Sequence, residues 1–374
     1  MPTLTALRAR ADLDVISRAG LTLDEFTDEA CAALRRVVPC VSVCVATHDP
    51  ATLMMTSGRK FGDLTTTDPQ EVLFCTLEYA HAEASSFREL ARSDSRAIGM
   101  QAWLDVTRMR SARTDRLVRS LFGYGDEARV VFRDPQGMWG GMALYRDPTD
   151  PAFSDDEIDF LAGLSELFAR GVRSGILARV AQQPAAAPSG PAVVIVNAAD
   201  EVVQLSLGAQ ERLAQLDSRA GNLQPLAMVL TVAVAARAVL ADPARPLPVM
   251  RVRATTGQWL VLHGSPLTGV GGSGGDVVVT IGEARPPEIV GLVVAAFGLT
   301  PREREVTSMV LQGVDTKEIA TTLHLSAYTV QDHLKSIFEK AGVRSRRELI
   351  SRVYFDQYLP RLGGPVGPSG WFAG

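Results

Sequence analysis

At 374 residues, 46% of them apolar and 21% charged, the chain has ordinary globular composition and room for two or three domains. Its formal net charge of −4 excludes a polycation, so any affinity for nucleic acid must come from a local patch. It contains no apolar run of 18 residues and no apolar leader, which predicts a cytoplasmic chain with no membrane span.

The first periodic stretch is 21–38, where Leu23, Phe26, Ala30, Leu34, Val37 and Val38 recur at helical spacing. Strand-like VSVCVAT follows at 41–47, then an apolar segment TLMMTS and a helix predicted around 71–84. Cys31, Cys40, Cys44 and Cys75 need no disulfide in a reducing compartment; Cys40 and Cys44 share a face of the strand and read as small buried apolar residues. Beyond a polar region, Glu127–Arg133 and Met138–Arg146 form a hairpin turning at 134–137. Residues 153–157, FSDDE, then open a long helix to about Gln182, with Ile158, Leu161, Leu164, Leu167 and Phe168 on its apolar side.

This order of elements, with the entry FSDDEIDFL at 153–161, resembles a GAF sensory domain, assigned to 1–182. The resemblance implies a small-molecule pocket on the sheet and closing helices that pair between subunits. Phe74, Tyr79, Trp103, Trp139 and Met142 are the aromatic and soft residues available to line such a pocket, and each also suits a core. No cofactor is called for, and the effector is an unidentified small molecule.

The run QQPAAAPSGP at 182–191 has no apolar periodicity and reads as a linker, assigned to 183–191. After it, VVIVN and EVVQLS pair over 198–200, helices follow at 209–216 and from Pro225 to 241, VMRVRATTGQWLVLHGSPL turns at Thr256-Gly257, and DVVVTIGEA is a last strand. Two strands, helices and three strands resemble a PAS-type fold over 192–285. His263, beside Gly264 in a strand, reads as a surface or hydrogen-bonded histidine rather than a haem ligand. Residues 269–274 match G-x-G-x-x-G, yet they run into a strand instead of opening a helix and therefore read as a hairpin loop.

The chain has no G-x-x-x-x-G-K-[ST], no phosphoreceiver arrangement of acidic residues, no nucleophile elbow and no H-E-x-x-H. Asp49, followed by Pro50, reads as a turn residue. Neither catalysis nor a metal site is suggested.

Pro286-Pro287 and EIVGLVVAAFG give a connecting helix, 286–298, and the stretch after it is dense in helix signals. Thr300 with Glu303, Asp315 with Glu318, and Ser345 with Glu348 each place an acceptor at an N-cap and a Glu three residues on. Ser326 caps a further helix, while Gly313 and Gly342 stand where helices end. Four helices result. The third, from Ala327 to about Lys340, buries Val330, Leu334, Ile337 and Ala341, and follows its predecessor across a turn at His324-Leu325. That is a helix-turn-helix, whose second helix enters the major groove.

LTPRE at 299–303, Gly313, Lys317-Glu318-Ile319-Ala320, Leu323, Leu325-Ser326, Thr329-Val330, His333, Lys340, Gly342-Val343 and Ser345-Arg346 resemble the LuxR-type (NarL/FixJ-type) helix-turn-helix domain, here 299–359. The resemblance implies that Lys317, Thr329, Lys340 and Arg346 position the DNA backbone, and that Gln331, Asp332 and Lys335 read bases. Thr316, Ser326, Tyr328 and Arg344 complete the candidate surface. Between 326 and 347, five basic residues (Lys335, Lys340, Arg344, Arg346, Arg347) outnumber Asp332 and Glu339, a modest local excess. Gln331 stands where the family is usually basic and Asp332 where it is apolar or polar; Gln suits adenine and Asp suits cytosine N4. The fourth helix, 346 to about 358, offers Ile350, Val353 and Tyr354 for pairing, or for covering its own core. The Gly- and Pro-rich tail, 360–374, is predicted disordered.

The expected architecture is multidomain: an α+β GAF-like domain, an α+β PAS-like domain and an all-α four-helix LuxR-type domain. Double-stranded DNA, a second copy of the chain and RNA polymerase are the implied partners. The first two domains either sense a small ligand or partner, or bind no ligand and serve as a dimerisation scaffold.

Overall fold

In the computed structural model, which describes residues 4–64, 66, 68–80, 83–178, 192–216, 224–268 and 274–355, the alternating apolar stretches form two five-stranded antiparallel sheets. The first contains β1 (Ser42–His48), β2 (Met55–Gly62), β3 (Ala97–Gly99), β4 (Asp126–Asp134) and β5 (Gly137–Arg146), in the order β2-β1-β5-β4-β3. The second contains β6 (Ala192–Val196), β7 (Val202–Leu205), β8 (Val249–Arg253), β9 (Trp259–Thr268) and β10 (Gly274–Glu283), in the order β7-β6-β10-β9-β8. Both sheets thus place their last strand at the centre, between their first and fourth. The β4–β5 hairpin closes with Asp134 opposite Gly137, and β8 meets β9 with Arg253 opposite Trp259.

One face of the first sheet is covered by α1 (Leu4–Arg18), α2 (Leu23–Arg35) and α7 (Ser165–Leu177). Phe168 of α7 stacks on Phe132 of β4 at 4.7 Å and meets Phe26 of α2 edge-on at 6.0 Å. α2 lies so close to α7 that a Cβ on Gly171 would stand 2.0 Å from the Phe26 ring. The long helix predicted from 153 is interrupted at Leu164, giving α6 (Asp155–Gly163) and then α7. The buried hydroxyl of Ser165 explains the break: it donates to Val131 O at 2.6 Å and accepts from Arg133 N at 3.0 Å, anchoring the new helix to β4.

Over the other face run α3 (Asp68–Cys75), a π-helical turn (Thr76–Ala80), α4 (Phe87–Arg92), α5 (Met100–Thr107) and a second π-helical turn (Arg113–Arg119). The helix predicted to reach residue 84 has ended by Glu83, and its last described turn is π rather than α. α1, α4, α5, β3 and the second π turn lack a clear sequence signal; β3 has three residues and α4 six, too short to establish a period. Cys40 precedes β1 instead of sharing its face with Cys44, and all four cysteines are free.

α8 (Ala209–Ala214) and α9 (Pro225–Ala241) accompany the second sheet. Every residue of α9 from Ala227 to Ala236 is buried, which requires apolar cover all round. One side lies on β9, where Val232 approaches Gly264; another lies on α3 and its π turn, where the Cys75 thiol is 3.0 Å from the Thr231 hydroxyl. The two sheets therefore share a core and belong to one unit, which ends at Glu283. Asp49 adds a clasp beyond its turn, accepting from Arg251 Nε at 2.5 Å and Nη2 at 2.6 Å. Arg253 donates to the carbonyls of Ile176 and Ala178, both at 2.7 Å. His263 is exposed on β9.

The second unit begins at Ala284. The stretch read as a connecting helix forms α10 (Pro286–Ala296) and packs against α14 (Arg346–Tyr354) within this unit. Between them lie α11 (Pro301–Leu311), α12 (Thr316–Thr322) and α13 (Ala327–Ala341). Among the described residues no helix is long and apolar enough to cross a membrane. The linker at 183–191, most of the loop at 269–274, the tail at 360–374, and the stretches 179–182 of the predicted closing helix and 356–358 of the predicted fourth helix lie outside the described residues.

Candidate nucleic-acid interface

The local chemistry of the second unit builds a helix-turn-helix from caps inward. Thr300 and Glu303 form a full capping box, with Thr300 N donating to Glu303 Oε2 at 2.7 Å. Asp315 accepts from Lys317 N at 2.8 Å and Glu318 N at 2.9 Å; these bonds hold its carboxyl below the usual range. Ser326 accepts from Thr329 N at 3.0 Å. Ser345 accepts from Glu348 N, but Glu348 reaches one residue further back than expected, accepting from Arg344 N at 2.8 Å.

α13 buries Val330, Leu334, Ile337 and Ala341, the stripe that its periodicity predicts. Its opposite side carries Tyr328, Gln331, Asp332, Lys335 and Glu339 into solvent, with Tyr328 86% exposed. Lys317 of α12, Ser326 and Arg344 are exposed around this row. Two candidate phosphate contacts are placed differently. Lys340 Nζ is held by Glu303 at 2.6 and 2.8 Å, and Arg346 donates to Val314 O at 2.7 Å and to Thr316 Oγ1 at 2.9 Å. Thr329 is half-buried, with its hydroxyl 2.9 Å from that of Ser326. Lys340, itself exposed, and the half-buried Arg346, Thr316 and Thr329 thus tie the motif together.

Glu303 is the residue that sequence reasoning assigned too small a role. It caps α11 and, 37 residues before Lys340, anchors α13 as well, also accepting from Ser336 at 2.6 Å. Burial raises its pKa, but bonds from Lys340, Ser336 and Thr300 outweigh burial and hold the carboxyl at about 2. The available signal was its position in the first turn, where one carboxylate can serve a cap and a second helix. His333 is half-buried; Val353 belongs to the unit's core, leaving Ile350 and Tyr354 half-exposed on α14.

The five sensor candidates are not brought together. Trp139 and Met142 lie on the α7 side of β5, Trp139 with its indole N–H donating to Asp134 at 3.1 Å and Arg173 of α7 6.0 Å from its ring. Tyr79 and Phe74 are on the opposite side, in or against the core shared with α9. Trp103 is half-buried on α5.

Residues 298–353 match a family model described as bacterial regulatory proteins, luxR family. The monoamine regulon transcriptional regulator of Klebsiella aerogenes is 46% identical over 56 residues, 15% of this chain and 25% of that protein's length. The spore germination protein GerE of Bacillus subtilis is 42% identical over 52 residues, 14% of this chain and 70% of GerE. Among solved structures, a Vibrio cholera VqmA–ligand–DNA complex shares 18% identity at a TM-score of 0.24, covering 44% of this chain and 82% of that one, too slight a likeness to bear on the fold.

Proposed function

The chain belongs to the luxR family of bacterial regulatory proteins, and we propose that it acts as a DNA-binding transcription regulator, a homodimer whose first unit senses a small ligand or a partner. The observation that carries the DNA reading is the exposed row on α13, held over a buried stripe and braced by Glu303 and Lys340. In this reading Gln331, Asp332 and Lys335 meet base edges, while Lys317 and Arg344 lie within reach of phosphates. So small a surface gains useful affinity by pairing two copies on repeated half-sites.

The sensor reading is supported by two sheets of matching strand order and by the resemblance of the sequence over 1–182 to a GAF domain and over 192–285 to a PAS-type fold. Genome-wide mapping of bound sites supplies the operator for a direct test. Lys335→Ala is expected to abolish the specific shift in gel mobility while circular dichroism stays unchanged; retained operator affinity sinks the assignment. Mass spectrometry of purified protein after denaturation is expected to show a released metabolite. If none is released and no ligand raises the melting temperature, the first unit is a scaffold.

A further inference from the structure

A cavity of about 630 Å³ lies within the first unit, between the two sheet-bearing halves. That volume is in the range of small-molecule sites. One wall is the turn at residues 51–53 together with Tyr79 and α4; the other is Ala235 of α9 and the segment from Asp242 to Val249. Asp49, which starts the first wall's turn, is clasped to Arg251 of β8, so the two walls are joined beside the cavity.

The charges on these walls do not balance. Arg92 is paired with Glu89 at 2.7 Å and Arg245 with Asp242 at 3.3 Å. Arg88 is half-buried and lies 5.7 Å from the centre of the Tyr79 ring, but among the described residues it has no carboxylate within ion-pair distance. Three guanidinium groups thus face two carboxylates. Burial, together with the charges of Arg92 and Arg245, depresses the Arg88 pKa, against opposing contributions from Tyr79 and Glu78. A partly desolvated cation of this kind is stabilised by an incoming anion.

Two further features mark a prepared site. Tyr79 is fixed as a platform, its hydroxyl accepting from Met55 N at 2.9 Å. Leu53, on the cavity wall, has φ of 58°, a left-handed conformation that costs a branched side chain energy and concentrates at ligand clamps. Leu53, Leu247 and the prolines at 246 and 248 give the rest of the surface an apolar character.

We propose that this cavity binds a small organic anion with an apolar body, its acidic group on Arg88 with Arg92 and Arg245 alongside, and its body against Tyr79, Leu53 and Leu247. This rests on the sensor reading of the first unit and locates the effector between the two halves rather than inside either. Because the ligand touches both walls, its occupancy couples their relative position to its concentration.

The test measures melting of the full chain with octanoate, octyl phosphate or octanol, each below its micelle-forming range. At least one anion is expected to raise the melting temperature, its identity distinguishing a carboxylate from a phosphate ligand, while octanol has no effect. Arg88→Gln is expected to weaken that anion about tenfold, and Leu247→Trp, which fills the cavity without altering charge, to weaken it as well. Equal stabilisation by octanol, no response to either anion, or undiminished binding in both variants overturns the proposal. The sensor reading is judged separately: a metabolite released from wild type and equally from both variants leaves it standing and removes this site.

Discussion

Lys335 and Lys340 lie on the same helix with the same charge, but their surroundings differ. Lys335 extends into solvent, where attraction to phosphates or base edges is available; the Lys340 ammonium is committed to Glu303. Lys340→Met is therefore expected to lower the stability of the second unit rather than remove a DNA contact. The pH dependence separates the two roles. The folded-state pKa of Glu303 is depressed from 4.5 to about 2, so its contribution is fully present above 4.5 and is lost as pH falls through about 2. Melting of wild type and Lys340→Met should differ by a constant amount above pH 5 and converge as pH falls from 4.5 to 2. A difference independent of pH shows that Lys340 acts without Glu303. The buried stripe of α13 was legible because a period of 3.6 needs no knowledge of the partner. The commitment of Lys340 was not, because its partner is 37 residues away in sequence.

Helix ends show the same divide between local signal and tertiary requirement. α11, α12 and α13 finish alike: Val314 N donates to Met309 O, Leu325 N to Ala320 O and Val343 N to Phe338 O, at 3.0, 2.8 and 2.9 Å. Each ending needs one left-handed residue, and Gly313 and Gly342 supply it at φ of 84° and 63°. In the turn between α12 and α13 the position falls to His324, at φ of 53°. The glycines announced their helix ends in the sequence; the histidine marked a turn only through the caps around it. His324→Gly is expected to relieve strain and stabilise the second unit by about 0.5–1 kcal/mol. A raised urea midpoint with an unchanged slope checks this, and a lowered midpoint means that the imidazole makes contacts worth more than the strain.

At the scale of the molecule, α9 decides how the first unit behaves. Its sequence PLAMVLTVAVAARAVLA has no polar face, and a helix with no polar face needs partners on more than one side. The strands around it are readable from alternation, but a helix apolar all round does not say in sequence which elements cover it; here strands and helices of both halves do so within one unit. In the structure, removing side-chain volume from α9 withdraws support from both sheets. Val232 is fully buried against Gly264, and Val232→Ala is expected to cost about 2 kcal/mol through lost burial and the residual cavity. If the shared core makes the unit cooperative, amides in β5 and β9 lose hydrogen-exchange protection by the same factor, although Val232 is packed against Gly264 of β9. Loss confined to β9 and its neighbours reveals two independently unfolding halves. The cavity between them would then bind its anion across a joint that opens without global unfolding, and ligand should restore protection at the joint before it restores either sheet.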